Sequence, residues 1–153
     1  MRVQDVLRRK GHDVVTISPA ASVGDLLKLL NEHRIGSVVV MDGDRMVGIV
    51  SERDILNRLA ASDDDDIRTV PVHEVMSQTR VCSLDDDTAE LAAVMTEFRV
   101  RHLPVVDADG RLLAIVSIGD VVKARLDTLT DERNHLINYV QQEPPAGRVV
   151  SQD

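Results

Sequence analysis

Among the places where an acid follows a Ser or an Asp by three residues are Ser22 with Asp25, Ser51 with Asp54, Asp87 with Glu90, and Ser117 with Asp120. The spacing starts a helix, because the first side chain accepts from the amide three residues on and the acid reaches back to the cap amide. Two of the four have more chemistry available. Ser51 and Ser117 close the apolar runs "RMVGIVS" and "RLLAIVS", with Gly48 in one and Ala114 in the other three residues before the Ser. A strand that ends on a helix start presents free backbone N–H groups and the positive end of the helix dipole, which suits an anion. An acid one turn inside the helix can accept from two vicinal hydroxyls, as it does for ribose in dinucleotide folds. Both copies keep the Ser and the Asp while exchanging Glu52-Arg53 for Ile118-Gly119. A cap alone would tolerate Thr, Asn or Glu equally well.

The elements that position these pairs are written twice. "RIGSVVVMDGDRMVGIVSERDIL" (34–56) lies on "RVRHLPVVDADGRLLAIVSIGDVV" (99–122) with one inserted residue, Ala108. The match runs back through 15–33 against 80–98, and through "VQDVL" (3–7) against "VHEVM" (72–76). Such self-similarity is the mark of a duplicated structural unit. In each half a short lead-in helix and a strand precede an amphipathic helix, whose core face is Val23, Leu26, Leu27 and Leu30 in one copy and Leu91, Val94, Met95 and Phe98 in the other. A two-stranded hairpin with Gly in its turn follows, then the helix begun by Ser51 or Ser117. The expectation is an α/β (α+β) fold of two pseudo-symmetric βαββα repeats packed through their sheets, plus a C-terminal helix.

The expected boundaries are residues 1–60 for the first repeat with its lead-in helix, 61–70 for an acidic linker, and 71–125 for the second repeat with its own lead-in helix, where Pro71 suits the first turn. Residues 126–142, with Leu126, Leu129, Leu136, Tyr139 and Val140, form a further amphipathic helix, and 143–153 form a flexible tail.

Composition narrows the function. A formal charge of −8, no Trp, one Tyr and one Phe argue against a nucleic-acid partner, though a small phosphorylated ligand needs only a local cluster of donors. No apolar stretch approaches a bilayer span and the N-terminus lacks a signal-peptide core, so the expected setting is cytoplasmic, with no membrane partner. The lone Cys82 reads as a small core filler. His12, His33, His73 and His135 show no metal spacing, and the acids at 63–66 lack the turn glycine of a calcium loop, so no metal is expected. There is no P-loop, no G-x-S-x-G and no Cys/His pairing, which points away from an enzyme.

The repeat resembles the cystathionine-beta-synthase-type (CBS) domain, and the tandem resembles a stand-alone CBS pair, or Bateman module, over about residues 1–125. The resemblance implies two clefts and frequent pairing into a flat homodimer. It further implies a non-catalytic sensor of an adenosine-containing ligand such as AMP, ADP, ATP or NAD(H), with no catalytic cofactor and with some regulated protein as partner. Carried over by position, Ser51, Asp54, Ser117 and Asp120 would meet phosphate and ribose. The first-strand backbone around Thr16 and Ile17, and around Val81 and Cys82, would line the adenine. Arg101 and His102 would meet phosphate, with Leu103 and Pro104 beside them. The first copy has Gly36, Ser37 and Val38 in that stretch, and Arg53 supplies a charge that Gly119 cannot, so the two clefts are expected to differ. The other reading is a structural dimerisation module with empty clefts, whose C-terminal helix contacts another protein.

Overall fold

The computed structural model describes residues 1–63 and 66–142; Asp64, Asp65 and the expected tail lie outside the described residues. Helix α1 (Val3–Lys10) leads to β1 (Thr16–Ile17), α2 (Val23–His33), the hairpin β2 (Ser37–Asp42) and β3 (Arg45–Ser51), and α3 (Glu52–Ala61). The second repeat has α4 (Thr88–Glu97), β4 (His102–Val106), β5 (Leu112–Ser117) and α5 (Ile118–Gln142). Both hairpins are antiparallel, and their turns place Gly43 at φ +62° and Gly110 at φ +81°, where a Cβ is unfavourable. In the second turn, which carries the inserted residue, Asp107 Oδ1 accepts from the amides of Asp109 and Arg111. β1 pairs in parallel with β2, but its counterpart in the second repeat shrinks to a single bridge between Cys82 and Val105.

Strand alternation divides each sheet into two faces. Val38, Val40 and Val50 pack under α2 and α3, and Leu103, Val105, Ala114 and Val116 pack under α4 and α5. Val39, at 0% exposure, and the buried Pro104 point to the other side, where the two repeats meet through their sheets.

Two positions expected on core faces are half-exposed instead. Leu27 is 38% exposed because, at 100° per residue, it stands about 70° from the centre of the stripe made by Val23, Leu26 and Leu30. Phe98 is 42% exposed at the end of α4, where the Arg80 guanidinium lies 3.5 Å from its ring centroid, a cation–π contact.

The lead-in segments are exchanged. Val3 and Leu7 of α1 lie in the core of the second repeat, among Leu91, Met95, Leu103 and Val116, whereas Val70, Val72 and Val75 complete the core of the first. The backbone repeats the exchange: Val3 N donates to Asp86 O and Thr88 N to Met1 O, while Val23 N donates to Val70 O and Val72 N to Ala21 O. Each repeat is therefore continuous in sequence but completed by the other's lead-in. The second lead-in is also no α-helix; it is a 3₁₀ turn, Val72–Glu74, with Pro71 just before it rather than inside it.

The segment expected as a plain linker is partly structured. Ile67–Thr69 forms a 3₁₀ turn capped by Asp66, and Ile67 packs against the first core. At the C-terminal end the expected break near residue 125 is missing: α5 runs through it for 25 residues. Val121 and Ala124 anchor its first turns, whereas Leu126, Leu129, Leu136, Tyr139 and Val140 are all exposed.

Candidate functional site

Both Ser-x-x-Asp pairs form reciprocal caps. Asp54 Oδ2 accepts from Ser51 N at 2.8 Å and Asp54 N donates to Ser51 Oγ at 3.4 Å; the matching bonds at Asp120 and Ser117 are 2.9 and 3.1 Å. Ser22 and Asp25 also make the full box, but Asp87 merely caps the Ala89 amide. The chemistry of the first and second repeats lies on the sheet face turned from the helices. There Ser37 stands opposite Ser51 and Val39 opposite Ile49, while His102 stands opposite Ser117 and Pro104 opposite Ile115.

Fewer free N–H groups remain at these helix starts than the sequence suggests. The amides of Glu52 and Ile118 donate to Gly36 O at 3.0 Å and Arg101 O at 2.7 Å, and those of Asp54 and Asp120 go to the cap hydroxyls. At a helix start the second amide, here that of Arg53 or Gly119, has no partner within the helix. At Gly119 there is no side chain to stand in the way; Arg53 is exposed.

The side chains of Val38, Leu103 and Cys82, three of the expected ligand contacts, are buried in the helix-facing layers or the core around them, at 0%, 1% and 5% exposure. Burial, with Asp86 nearby, pushes the Cys82 thiol up to about 12, and its N–H and C=O are both bonded to β4. Val81 is 46% exposed, and strand alternation turns its backbone groups the other way, so it is the member of that pair with a surface to offer. Thr16 is exposed and Ile17 half-buried on the edge strand β1. Ser37 is 7% exposed and its Oγ has no partner among the described residues.

The exchanged lead-ins close the two pairs differently. In the first repeat the chain after the 3₁₀ turn lies against β3: Ile49 N donates to Ser77 O at 2.9 Å, Ser77 N to Ile49 O at 2.8 Å, and Ser77 Oγ to Asp54 Oδ1 at 2.6 Å. This close approach requires Gly48, since a Cβ there would lie 2.9 Å from the Ser77 carbonyl oxygen. In the second repeat the matching residues are Ile115 and Ala114, and a side chain replaces the bridge. Lys10 Nζ donates to Ile115 O at 2.8 Å and to Asp120 Oδ2. Arg9 fixes the same end of α1 through Asp127 of α5, at 2.8 Å.

Lys10, Arg101 and His102 thus gather around Ser117 and Asp120, whereas the matching places in the first repeat hold Thr79, Gly36 and Ser37. His102 titrates below its ordinary value because burial disfavours the cation and Lys10 repels it, more than Asp120 attracts it. For Asp120 burial acts upward, but the hydrogen bonds from Lys10 and Ser117 together outweigh it and hold the carboxyl below the usual range. Lys10 is the residue that sequence reasoning missed. It stands 110 positions from Asp120, and only the exchange of α1 joins them.

A separate groove of about 420 Å³ opens between α2 and α3, lined by Leu27, Leu30, Asn31, Arg34, Ile35, Gly36 and Glu52. Of the expected contacts it includes only Gly36. Among the described residues no cluster of His, Cys, Asp and Glu could hold a metal ion, and no helix is long and apolar enough to cross a membrane.

Known proteins share this architecture. A CBS-domain containing protein of Agrobacterium tumefaciens superposes with a TM-score of 0.76 at 41% identity, over 82% of this chain and 99% of that one. A CBS domain protein of Pyrobaculum aerophilum, solved complexed with AMP, superposes with a TM-score of 0.68 at 26% identity, over 78% of this chain and 89% of that one. Inosine-5'-monophosphate dehydrogenase of Methanocaldococcus jannaschii is 34% identical over 115 residues, which are 74% of this chain but 22% of the enzyme. The unit thus also occurs as a small part of a larger catalytic protein. The family described as CBS domain matches residues 3–61 and 67–127, one match for each repeat, and the chain belongs to it as a tandem pair.

Proposed function

We propose that the chain is a non-catalytic regulatory module whose second-repeat cleft takes an adenosine-containing ligand of the AMP, ATP or NADH class. The observation that carries this reading is the grouping of Ser117, Asp120, Lys10, Arg101 and His102 at one helix start. It offers an acid for ribose hydroxyls beside cations for phosphate. Val81 and its neighbours supply an apolar edge for the base. The AMP complex of the Pyrobaculum aerophilum relative supports the choice of ligand class. The first cleft is the weaker site, because filling it must displace the Ser77 bridge and its cation is the single exposed Arg53 in place of Lys10, Arg101 and His102.

Calorimetry with AMP, ATP and NADH on the wild type and on Asp120→Ala tests the reading. Loss of charged hydrogen bonds to the ribose is worth about 1.5–3 kcal/mol, so AMP affinity should fall roughly 10- to 150-fold. A wild type that gives no heat with any of the three sinks the proposal.

A second reading rests on the exposed apolar residues of α3 (Leu56, Leu59) and α5 (Val122, Leu126, Leu129). It is a homodimerisation surface, through which ligand state would pass to a regulated protein. Sedimentation equilibrium checks it: a Leu126→Asp, Leu129→Asp variant should remain monomeric at concentrations where the wild type pairs. A wild type that stays monomeric overturns it.

A further inference from the structure

We infer that Lys10 is a movable counter-charge that sets the second cleft's preference for phosphorylated over unphosphorylated adenosine ligands, an inference that rests on the proposed ligand class. Lys10 neutralises Asp120 through Oδ2, the oxygen that also accepts from Ser117 N. A ribose diol that engages both carboxylate oxygens must displace it. What the displaced ammonium does next depends on the ligand. With a phosphate beside Arg101 and His102, Lys10 exchanges one anion for another, and its four-carbon stem lets it swing while α1 stays anchored through Arg9 and Asp127. With adenosine it exchanges an anion for water, and the broken ion pair is not replaced.

The first cleft cannot make this distinction. Its acid is held by the neutral Ser77 hydroxyl and its gate is a backbone bridge. Lys10 is therefore both the partner of Asp120 and, once a ribose displaces it, a contact for phosphate.

The test compares AMP and adenosine by calorimetry on the full chain, as wild type, Lys10→Gln, Lys10→Arg and Asp120→Asn. The side chain of Lys10 is about a third exposed, and a ligand-free melting curve for each variant confirms that it folds. In Lys10→Gln the ratio of AMP to adenosine affinity should fall by at least about tenfold, the scale of one charged hydrogen bond, while adenosine affinity holds or rises. Lys10→Arg should keep the ratio, and Asp120→Asn should weaken both ligands together. A wild-type ratio preserved in Lys10→Gln overturns the assignment to Lys10 and leaves the ligand class standing. If the wild type binds neither compound, the ligand class itself fails, and this inference with it.

Discussion

Replacing Leu7 with Ala should loosen the second repeat, although Leu7 precedes the first repeat's strands in the chain. Leu7 is 1% exposed and packs in the cluster that contains Leu91, Met95, Leu103 and Val116. The truncation removes three carbons, worth about 2.4 kcal/mol at ~0.8 kcal/mol each. The residual cavity brings the loss to about 3 kcal/mol, within the range of about 2–5 for such truncations. That is roughly a 150-fold rise in the opening equilibrium of whatever unit Leu7 stabilises. Native-state hydrogen exchange reads the unit directly. Amides of α4, β4 and β5 should lose about two decades of protection, and those of β2 and β3 far less. The mirror variant Val72→Ala, at 0% exposure in the other core, should reverse the pattern with a smaller effect. Loss of protection in 37–51 on truncating Leu7, or equal loss in both repeats, would refute the exchange of lead-ins as the organising feature of the cores.

Gly48→Ala should destabilise the protein by about 1–3 kcal/mol, read as a lowered denaturation midpoint, because its Cβ meets the Ser77 carbonyl at 2.9 Å and Met76 Sδ at 3.1 Å. The reverse change at the matching position, Ala114→Gly, should cost less, since no backbone bridge forms there; equal effects would remove the asymmetry between the clefts. His102 gives a pH signature. Its folded pKa lies below its ordinary value of 6.5, so the unfolded chain binds more protons between the two. Stability should therefore be complete above pH ~6.5 and decline as pH falls toward the folded value. Denaturation of His102→Gln across pH 5–8 should lack that slope, and an unchanged slope would place its origin elsewhere.

The duplication made most of the fold legible. Two hairpins and four core helices follow from apolar periodicity and from Gly43 and Gly110, because those signals are local. Ser51, Asp54, Ser117 and Asp120 were legible for the same reason, their geometry being fixed within one helical turn. The exchange was not, since the patterns "VQDVL" and "VHEVM" name apolar positions without saying which core they fill. Lys10 stayed hidden behind it: one basic residue among Arg8, Arg9 and Lys10 carries no mark of a partner in α5. Val38 and Leu103 were expected beside the ligand, and strand alternation turns their side chains into the core. The break expected near residue 125 rested on the end of the repeat, yet nothing from Lys123 to Arg133 is a Gly or Pro that would stop the helix.

A crystal structure grown in saturating AMP tests the central claim most directly. The account predicts one nucleotide in the second cleft, its ribose hydroxyls on Asp120, its phosphate beside Arg101 and His102, and Lys10 Nζ moved from Asp120 to the phosphate. Empty clefts, or a nucleotide bound in the first cleft while Lys10 stays on Asp120, would contradict it.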